Sequence, residues 1–216
     1  MPGDSRQKIR RPRLEYFDRR ASSYLAKSET SLLWKSVRCE EWRAIRSALT
    51  LRPGLSLLDM GCGAGYYSLQ IRNIMNVEIY GVDESEAMME AYRTQGFSGI
   101  CSPIEAFVGD KKYDRILIAG VLEFVKNPEP VIAKAAGLLK EPGKIVCLIP
   151  NVGTIGVVYQ WAHALQGCPT FIRDHEWYSV IARRHGLDLK GLARASCLSK
   201  TIVFQGRNME IEDARG

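Results

Sequence analysis

Apolar residues fall along this chain in two rhythms. Short runs such as Leu57-Leu58, Ile116-Leu117-Ile118 and Ile145-Val146-Cys147-Leu148-Ile149 have the length and composition of buried strands. The pattern predicts strands near 56–60, 78–82, 98–101, 114–119 and 145–149, followed by 187–193 and 201–204. Helices are predicted between them, near 66–74, 86–93, 128–139 and 175–185. Ahead of the first strand, 16–24 and 32–49 also read as helical. Leu33, Val37, Ile45 and Leu49 in the second of these keep a rough 3.6-residue spacing until the break at 50–53. Strands alternating with helices argue for an α/β fold, a mostly parallel sheet covered on both faces.

Composition adds that one core suffices. A chain of 216 residues, 46% hydrophobic, can bury a single substantial core, and no repeat divides it. The expected domain runs from 14 to 206, with 1–13 and 207–216 as flexible tails. Six cysteines form no C-x-x-C pair and read as reduced residues of a cytoplasmic protein. The start is basic and polar without an apolar secretory core, and the longest apolar stretch, near 152–165, is too short and interrupted to span a bilayer. Net charge is +6, with Arg6, Lys8, Arg10, Arg11, Arg13, Arg19 and Arg20 supplying a tail-weighted excess. Such an arm can be a solvated tail, or can follow phosphates on RNA or an anionic membrane.

The candidate chemistry begins where the first strand ends, in Leu57-Leu58-Asp59-Met60-Gly61-Cys62-Gly63-Ala64-Gly65. Glycines at 61, 63 and 65 permit a tight turn and close backbone approach by a ligand. Their G-x-G-x-G spacing differs from the dinucleotide fingerprint G-x-G-x-x-G. About twenty residues on, the second strand ends at Asp83, where an α/β nucleoside site places a carboxylate for ribose hydroxyls. Asp83 can equally cap the helix that follows. Met88, one turn inside that helix, can lie on a purine or fill the core.

Four blocks then carry a family resemblance: L-L-D-M-G-C-G-A-G, V-D-E-S-E-A-M, the run from Tyr113 to Val125, and Leu138-Leu139-Lys140-Glu141-Pro142-Gly143-Lys144. In this order the chain resembles the class I S-adenosylmethionine-dependent methyltransferases over roughly 16–204. The resemblance implies a Rossmann-like seven-stranded, mostly parallel sheet closed by an antiparallel hairpin. An N-terminal helical lid over 14–50 and a substrate-covering insertion over 151–174 are also implied. By the same resemblance, S-adenosyl-L-methionine would be held by Asp59 and the backbone of Gly61, Cys62 and Gly63 at its methionine end. Asp83 would hold the ribose, and Glu84, Met88 and Ile104 the adenine. Ala119-Gly120-Val121 would back the methyl group, and Tyr24, in F-D-x-x-A-x-x-Y, would reach cofactor or substrate from the lid, with Tyr16 and Phe17 nearby.

The chain also departs from that family. Pro103 stands where many relatives hold the adenine amino group with an acid, leaving Glu105 or backbone groups for that contact. Phe124 replaces a frequent histidine, and the Asp/Asn-Pro-Pro-Tyr/Phe motif of nucleic-acid amino methyltransferases is absent. Only His163, His175 and His185 are available as imidazole bases. His175 is the catalytic candidate, although it also suits the first turn of a helix after Asp174. No His or Cys pair has zinc-ligand spacing, and no carboxylate cluster suggests magnesium.

The expected function is methyl transfer to an oxygen or nitrogen of a small molecule. The apolar residues of 152–162 suit a hydrophobic acceptor pocket, or packing against the lid. The alternatives are an RNA methyltransferase using the basic arm and a cofactor-binding protein without transferase activity. The sequence sets no oligomeric state.

Overall fold

The computed structural model describes residues 13–19, 21 and 32–207, without the side chains of Leu33 and Ile155. Tyr24 and most of both expected tails lie outside the described residues. Residues 13–18 form a short helical segment. Helix α1 (Leu32–Leu49) leads to β1 (Ser56–Met60), α2 (Tyr66–Ile74), β2 (Glu78–Asp83), α3 (Glu86–Thr94), β3 (Ser98–Cys101), β4 (Tyr113–Ala119), α4 (Glu129–Gly137) and β5 (Leu139–Pro150). The chain then forms α5 (Thr154–Ala164), α6 (His175–Arg184), β6 (Leu187–Arg194) and β7 (Ser199–Gly206).

All seven expected strands are present, in one sheet of order β3-β2-β1-β4-β5-β7-β6. The first five run parallel, and β7 is antiparallel to both β5 and β6. Every residue of β1 is buried, and its period-2 alternation divides the core. Leu58 and Met60 join Ile116, Ile118 and Ile145 beneath α4 and α6. Leu57 joins Leu117 and Val146 on the other face with Ile45 and Leu49 of α1 and Ile71 of α2. The spacing that predicted α1 is thus the spacing of its sheet-facing side chains, since Val37, Ile45 and Leu49 are all buried.

Chain order reverses between β1 and β4, so the connections leave the sheet in opposite directions there. Loops after β1, β2 and β4 gather beside this switch point, where a ligand crevice is expected. The domain's contacts reach one residue beyond the expected 14–206 at each end. Arg13 belongs to the helical segment and is tied to the domain. The Arg207 amide, likewise, donates to the Gly186 carbonyl at 2.8 Å.

Candidate active site

A cavity opens at the carboxyl ends of β1, β2 and β4. It brings together Asp59, Gly61, Cys62, Gly63, Asp83, Glu84, Met88, Ile104 and Ala119, all expected from sequence. Gly61, Gly63 and Gly65 adopt φ values of 79°, 52° and 88°, the left-handed region that favours glycine. At Gly61 a Cβ would also collide with the Val121 side chain of the β4 loop, so glycine there lets two walls of the cavity close together. The loop's amides are engaged by the protein: Gly61 and Cys62 donate to the Val82 carbonyl at 2.7 and 3.2 Å, and Gly63 donates to Asp83 Oδ2 at 2.9 Å. What the loop offers a ligand is therefore close approach more than a row of N–H groups.

The helix cap falls to Ser85 and not to Asp83. Ser85 caps α3, its Oγ accepting from the Met88 amide at 3.1 Å. Asp83 instead accepts from Gly63 and, through Oδ1, from the Ser85 amide at 3.0 Å. Burial raises its pKa, and the two amide donors pull against that shift. Asp59 has no such pair of donors. It is 2% exposed and accepts from Ser68 Oγ at 2.7 Å. Burial pushes its pKa up to about 7, against the Ser68 hydrogen bond and with a smaller contribution from Asp83.

The N-terminal segment lies across this end of the cavity. Arg13 Nη2 pairs with Glu84 Oε1 at 2.6 Å while Nη1 donates to the Phe124 carbonyl at 2.9 Å. Ser85 Oγ donates to Asp18 Oδ1 at 2.5 Å, and Phe17 packs edge-on against Phe124 with ring centroids 5.2 Å apart. Arg13, assigned by sequence to a flexible tail, is a wall residue. Its contacts are long-range, and a basic run offers no local signal for them.

The rest of the wall is Phe17, Tyr66, Tyr67, Gly120, Val121, Phe124 and Val125. Behind it lies a polar group that sequence reasoning missed. Glu41, 7% exposed, accepts from Tyr67 OH at 3.0 Å and from Ser199 Oγ at 2.8 Å, and Arg38 Nη1 lies 3.9 Å from its Oε2. Glu123 is 3% exposed, and its Oε2 has no hydrogen-bond partner among the described residues. Burial pushes its pKa up to about 7, aided by Glu41 and opposed by its own backbone amide, Tyr159 and Arg38. A Cβ built on Gly120 would meet Glu123 Oε1 at 3.9 Å and no other heavy atom within 4 Å. Glu123 itself does not line the cavity; its carboxyl lies behind the cavity-lining Gly120. The one usable signal was Glu123 itself, inside a quoted motif and followed by an apolar residue.

Two expected contributors are the insertion and His175. Among the described side chains none of 152–165 lines this cavity, whereas Pro169 and Phe171, later in the insertion, line an adjoining cavity with Arg13, Glu105, Phe124 and Val125. Tyr159 and His163 of α5 face inward instead, and Tyr16 OH lies 3.2 Å from His163 Nδ1. His175 is also absent from the cavity lining. It begins α6 directly after Asp174, whose Oδ1 accepts from the Trp177 amide at 2.8 Å, so the helix start explains its place in the sequence.

The charges choose among cofactors. Among the described residues Asp59, Asp83, Glu84 and Glu105 line the cavity, against a single cation, Arg13, already paired with Glu84. A dinucleotide pyrophosphate would meet repulsion there, whereas the ammonium and sulfonium of S-adenosylmethionine would meet complementary charge. Residues 58–147 match the family described as "Methyltransferase domain". Over this stretch the chain carries a methyltransferase domain of the class I S-adenosylmethionine-dependent kind.

Among the methyltransferases it resembles is a ubiquinone biosynthesis O-methyltransferase of Bradyrhizobium, 25% identical over 159 residues, or 68% of this chain and 60% of that protein. The chain therefore spans less than two thirds of that relative's length. Two solved structures share the fold. One is in the complex between the Haloferax volcanii Trm112 methyltransferase activator and the putative methyltransferase, with TM-score 0.70, 15% identity, and coverage of 89% of this chain and 98% of that one. The other is magnesium protoporphyrin IX methyltransferase from Synechocystis with bound SAH, with TM-score 0.67, 17% identity, and coverage of 83% and 89%.

The family's cofactor fits the methyltransferase cavity as built. Asp59 and the Gly61–Gly63 loop would hold its methionine end, Asp83 its ribose, and Met88 and Ile104 its adenine. Glu105 lines the cavity beside Ile104, which leaves it available for the adenine edge that Pro103 cannot serve. Among the described residues no His, Cys, Asp and Glu side chains cluster to hold a metal ion.

Proposed function

We propose that the protein transfers the methyl group of S-adenosylmethionine to an oxygen or nitrogen of a small acceptor seated at the Gly120–Phe124 end of the cavity. The observation that carries this reading is the make-up of the cavity wall: the carboxylates Asp59, Asp83 and Glu84 from the ends of β1 and β2, and the aromatic rings of Phe17, Tyr66, Tyr67 and Phe124. Bound S-adenosylmethionine supplies a methyl group already activated by its sulfonium. The protein's share is then to align the acceptor, keep water out and take a proton. The aromatic wall excludes water. We assign the proton to Glu123, whose unpartnered Oε2 and pKa near 7 suit a base at neutral pH. His175 has no comparable placement. The Bradyrhizobium relative is named as an O-methyltransferase, which favours oxygen as the first acceptor class to test.

Calorimetry with S-adenosylhomocysteine and with a nicotinamide dinucleotide tests the cofactor half of this reading, and preferential binding of the dinucleotide would overturn it. Transfer of labelled methyl groups to a panel of phenols, carboxylic acids and amines, with transfer RNA alongside, tests the acceptor half. Cofactor binding without transfer to any of them would favour a cofactor-binding protein, and transfer to the RNA alone would favour the RNA methyltransferase.

A further inference from the structure

The cavity that adjoins the cofactor's has a volume of about 810 Å³, within the size range of small-molecule sites. Phe124 and Val125 belong to both cavities, so the two are continuous along the loop after β4. Pro103, Pro130 and Pro169 add apolar surface without an N–H donor, and Phe171 adds a ring. Arg173 holds this wall together. Its Nη1 donates to the Phe171 carbonyl at 3.1 Å and its Nη2 to the Lys126 carbonyl at 2.5 Å, joining the loop after β4 to the end of the insertion. The Phe171 amide donates in turn to the Glu123 carbonyl at 2.6 Å, so the second cavity backs onto the residue assigned the proton. The balance of charge reverses between the two cavities. Four carboxylates outnumber Arg13 in the first, whereas among the described residues Arg13 and Lys126 outnumber Glu105 in the second. The Lys126 ammonium has no partner among the described residues, and neither has the buried Nε of Arg13.

Resting on the methyl-transfer reading above, we infer that the second cavity holds the body of the acceptor, and that the acceptor is an apolar acid: a hydrophobic molecule whose anionic group faces Lys126 and Arg13. Continuity and charge identify the occupant. A molecule whose reacting atom sits against Gly120–Phe124 reaches the second cavity along Phe124 and Val125, which line both. The proline and phenylalanine surface suits its hydrophobic body, because apolar contact needs no hydrogen-bond partner. An amine fits less well, since its ammonium would meet two cations with only Glu105 to oppose them. S-Adenosylmethionine itself is excluded in the same way, by its sulfonium. Lys126 is exposed, so water screens its pairing, which adds selectivity among apolar molecules more than affinity. The carboxylates of the first cavity and the cations of the second thus sort the two substrates, cofactor from acceptor, by the sign of their charge.

Calorimetry of the full-length protein with decanoate, decanol and decylamine, in the presence and absence of S-adenosylhomocysteine, tests this without methyl transfer. Decanoate is expected to bind about threefold to tenfold more tightly than decanol, and decylamine least tightly, with the differences shrinking as salt is added. Lys126→Glu should remove the preference for decanoate and leave decanol affinity unchanged. Pro169→Glu, which sets a carboxylate on the apolar wall, should weaken both, decanoate the more. Lys126 and Pro169 are exposed, so each variant should keep the wild-type melting temperature, and two separate positions keep a folding defect in one from deciding the result. Decanol binding as tightly as decanoate would overturn the acidic class. Decanoate binding unchanged in both variants, competition between decanoate and S-adenosylhomocysteine, or no saturable binding of any probe would overturn the site. The methyl-transfer reading fails separately, by absence of S-adenosylhomocysteine binding, and the three probes are measured in either case.

Discussion

At the cofactor end of the cavity, Asp59, Gly61, Asp83 and Met88 come from one stretch, 59–88, whereas Glu41, Tyr67, Glu123, Tyr159 and Ser199 converge behind the acceptor end from most of the chain's length. In the first region each position follows from where a parallel strand ends and the next helix begins. Tertiary packing alone assembles the second. The two regions also hold their carboxyls differently. Asp83 is fixed by two backbone donors, while Glu123 keeps one oxygen without a partner among the described residues. Donors hold a group in place; an unpartnered buried oxygen is poised to change its protonation.

The largest effect that sharpens this contrast is expected at Glu123. Glu123→Gln preserves shape but cannot take a proton, so turnover should fall about 10²- to 10⁴-fold, with the affinity for S-adenosylhomocysteine unchanged. The pH–rate profile should lose its ascending limb near 7. Equal losses in cofactor affinity and turnover would show that the two ends are not separate, and unchanged turnover would remove Glu123 from the proton path.

Asp83→Ala comes next, on the cofactor side alone. Loss of a charge-assisted hydrogen bond to the ribose should weaken S-adenosylhomocysteine binding by about 1.5–3 kcal/mol. Ser85 retains the helix cap, so the melting temperature should drop little. A large stability loss with unchanged affinity would make Asp83 a brace for the glycine loop instead.

The third effect is a pH dependence. Burial raises Asp59 from 3.8 to about 7, so the folded state prefers its protonated form. The associated stability is fully present below the unfolded pKa and is lost as pH rises through about 7. Asp59→Asn cannot ionise, and its melting temperature should gain on wild type between pH 5 and pH 8. Cofactor binding runs the other way, because a nearby ammonium favours the carboxylate. Wild-type affinity should weaken up to about tenfold per pH unit below 7, and the variant's weaker affinity should stay flat. Calorimetry across pH reads both, and parallel curves for the two proteins would show that Asp59 does not titrate in this range.

The same division governs what the sequence revealed. All seven strands, and the gathering of Asp59, Gly61, Asp83 and Met88 around one cavity, were legible because strand period, glycine spacing and strand-end acids are local signals. The position of Arg13 was not, since a basic run looks solvated until Glu84 and the Phe124 carbonyl are seen beside it. The insertion's two readings, acceptor pocket or packing against the lid, stayed open in the sequence for a related reason. Composition gave its apolar content, but the face those residues occupy depends on Tyr159 and His163 being drawn inward by Glu123, Tyr16 and Phe124. Sequence reasoning sought a histidine base because imidazole titrates near neutrality when unperturbed. Burial gives a glutamate the same range, and burial is a property of the fold.

The smallest effect is expected at His175, and it tests how far the acceptor end extends. The residue begins α6, is only partly buried and lines no part of the cavity, while Asp174 supplies the helix cap on its own. Its Nδ1 is buried without a partner among the described residues, so removing the ring exposes no broken hydrogen bond. His175→Ala should leave turnover within about twofold and the pH–rate profile unchanged, in contrast to the 10²-fold or greater loss expected of a general base. Steady-state kinetics beside Glu123→Gln makes the comparison direct. A loss on the general-base scale, with cofactor affinity intact, would mean that α6 reaches the reacting atoms when acceptor binds, and the acceptor end would then be completed by a movement instead of by the walls already in place.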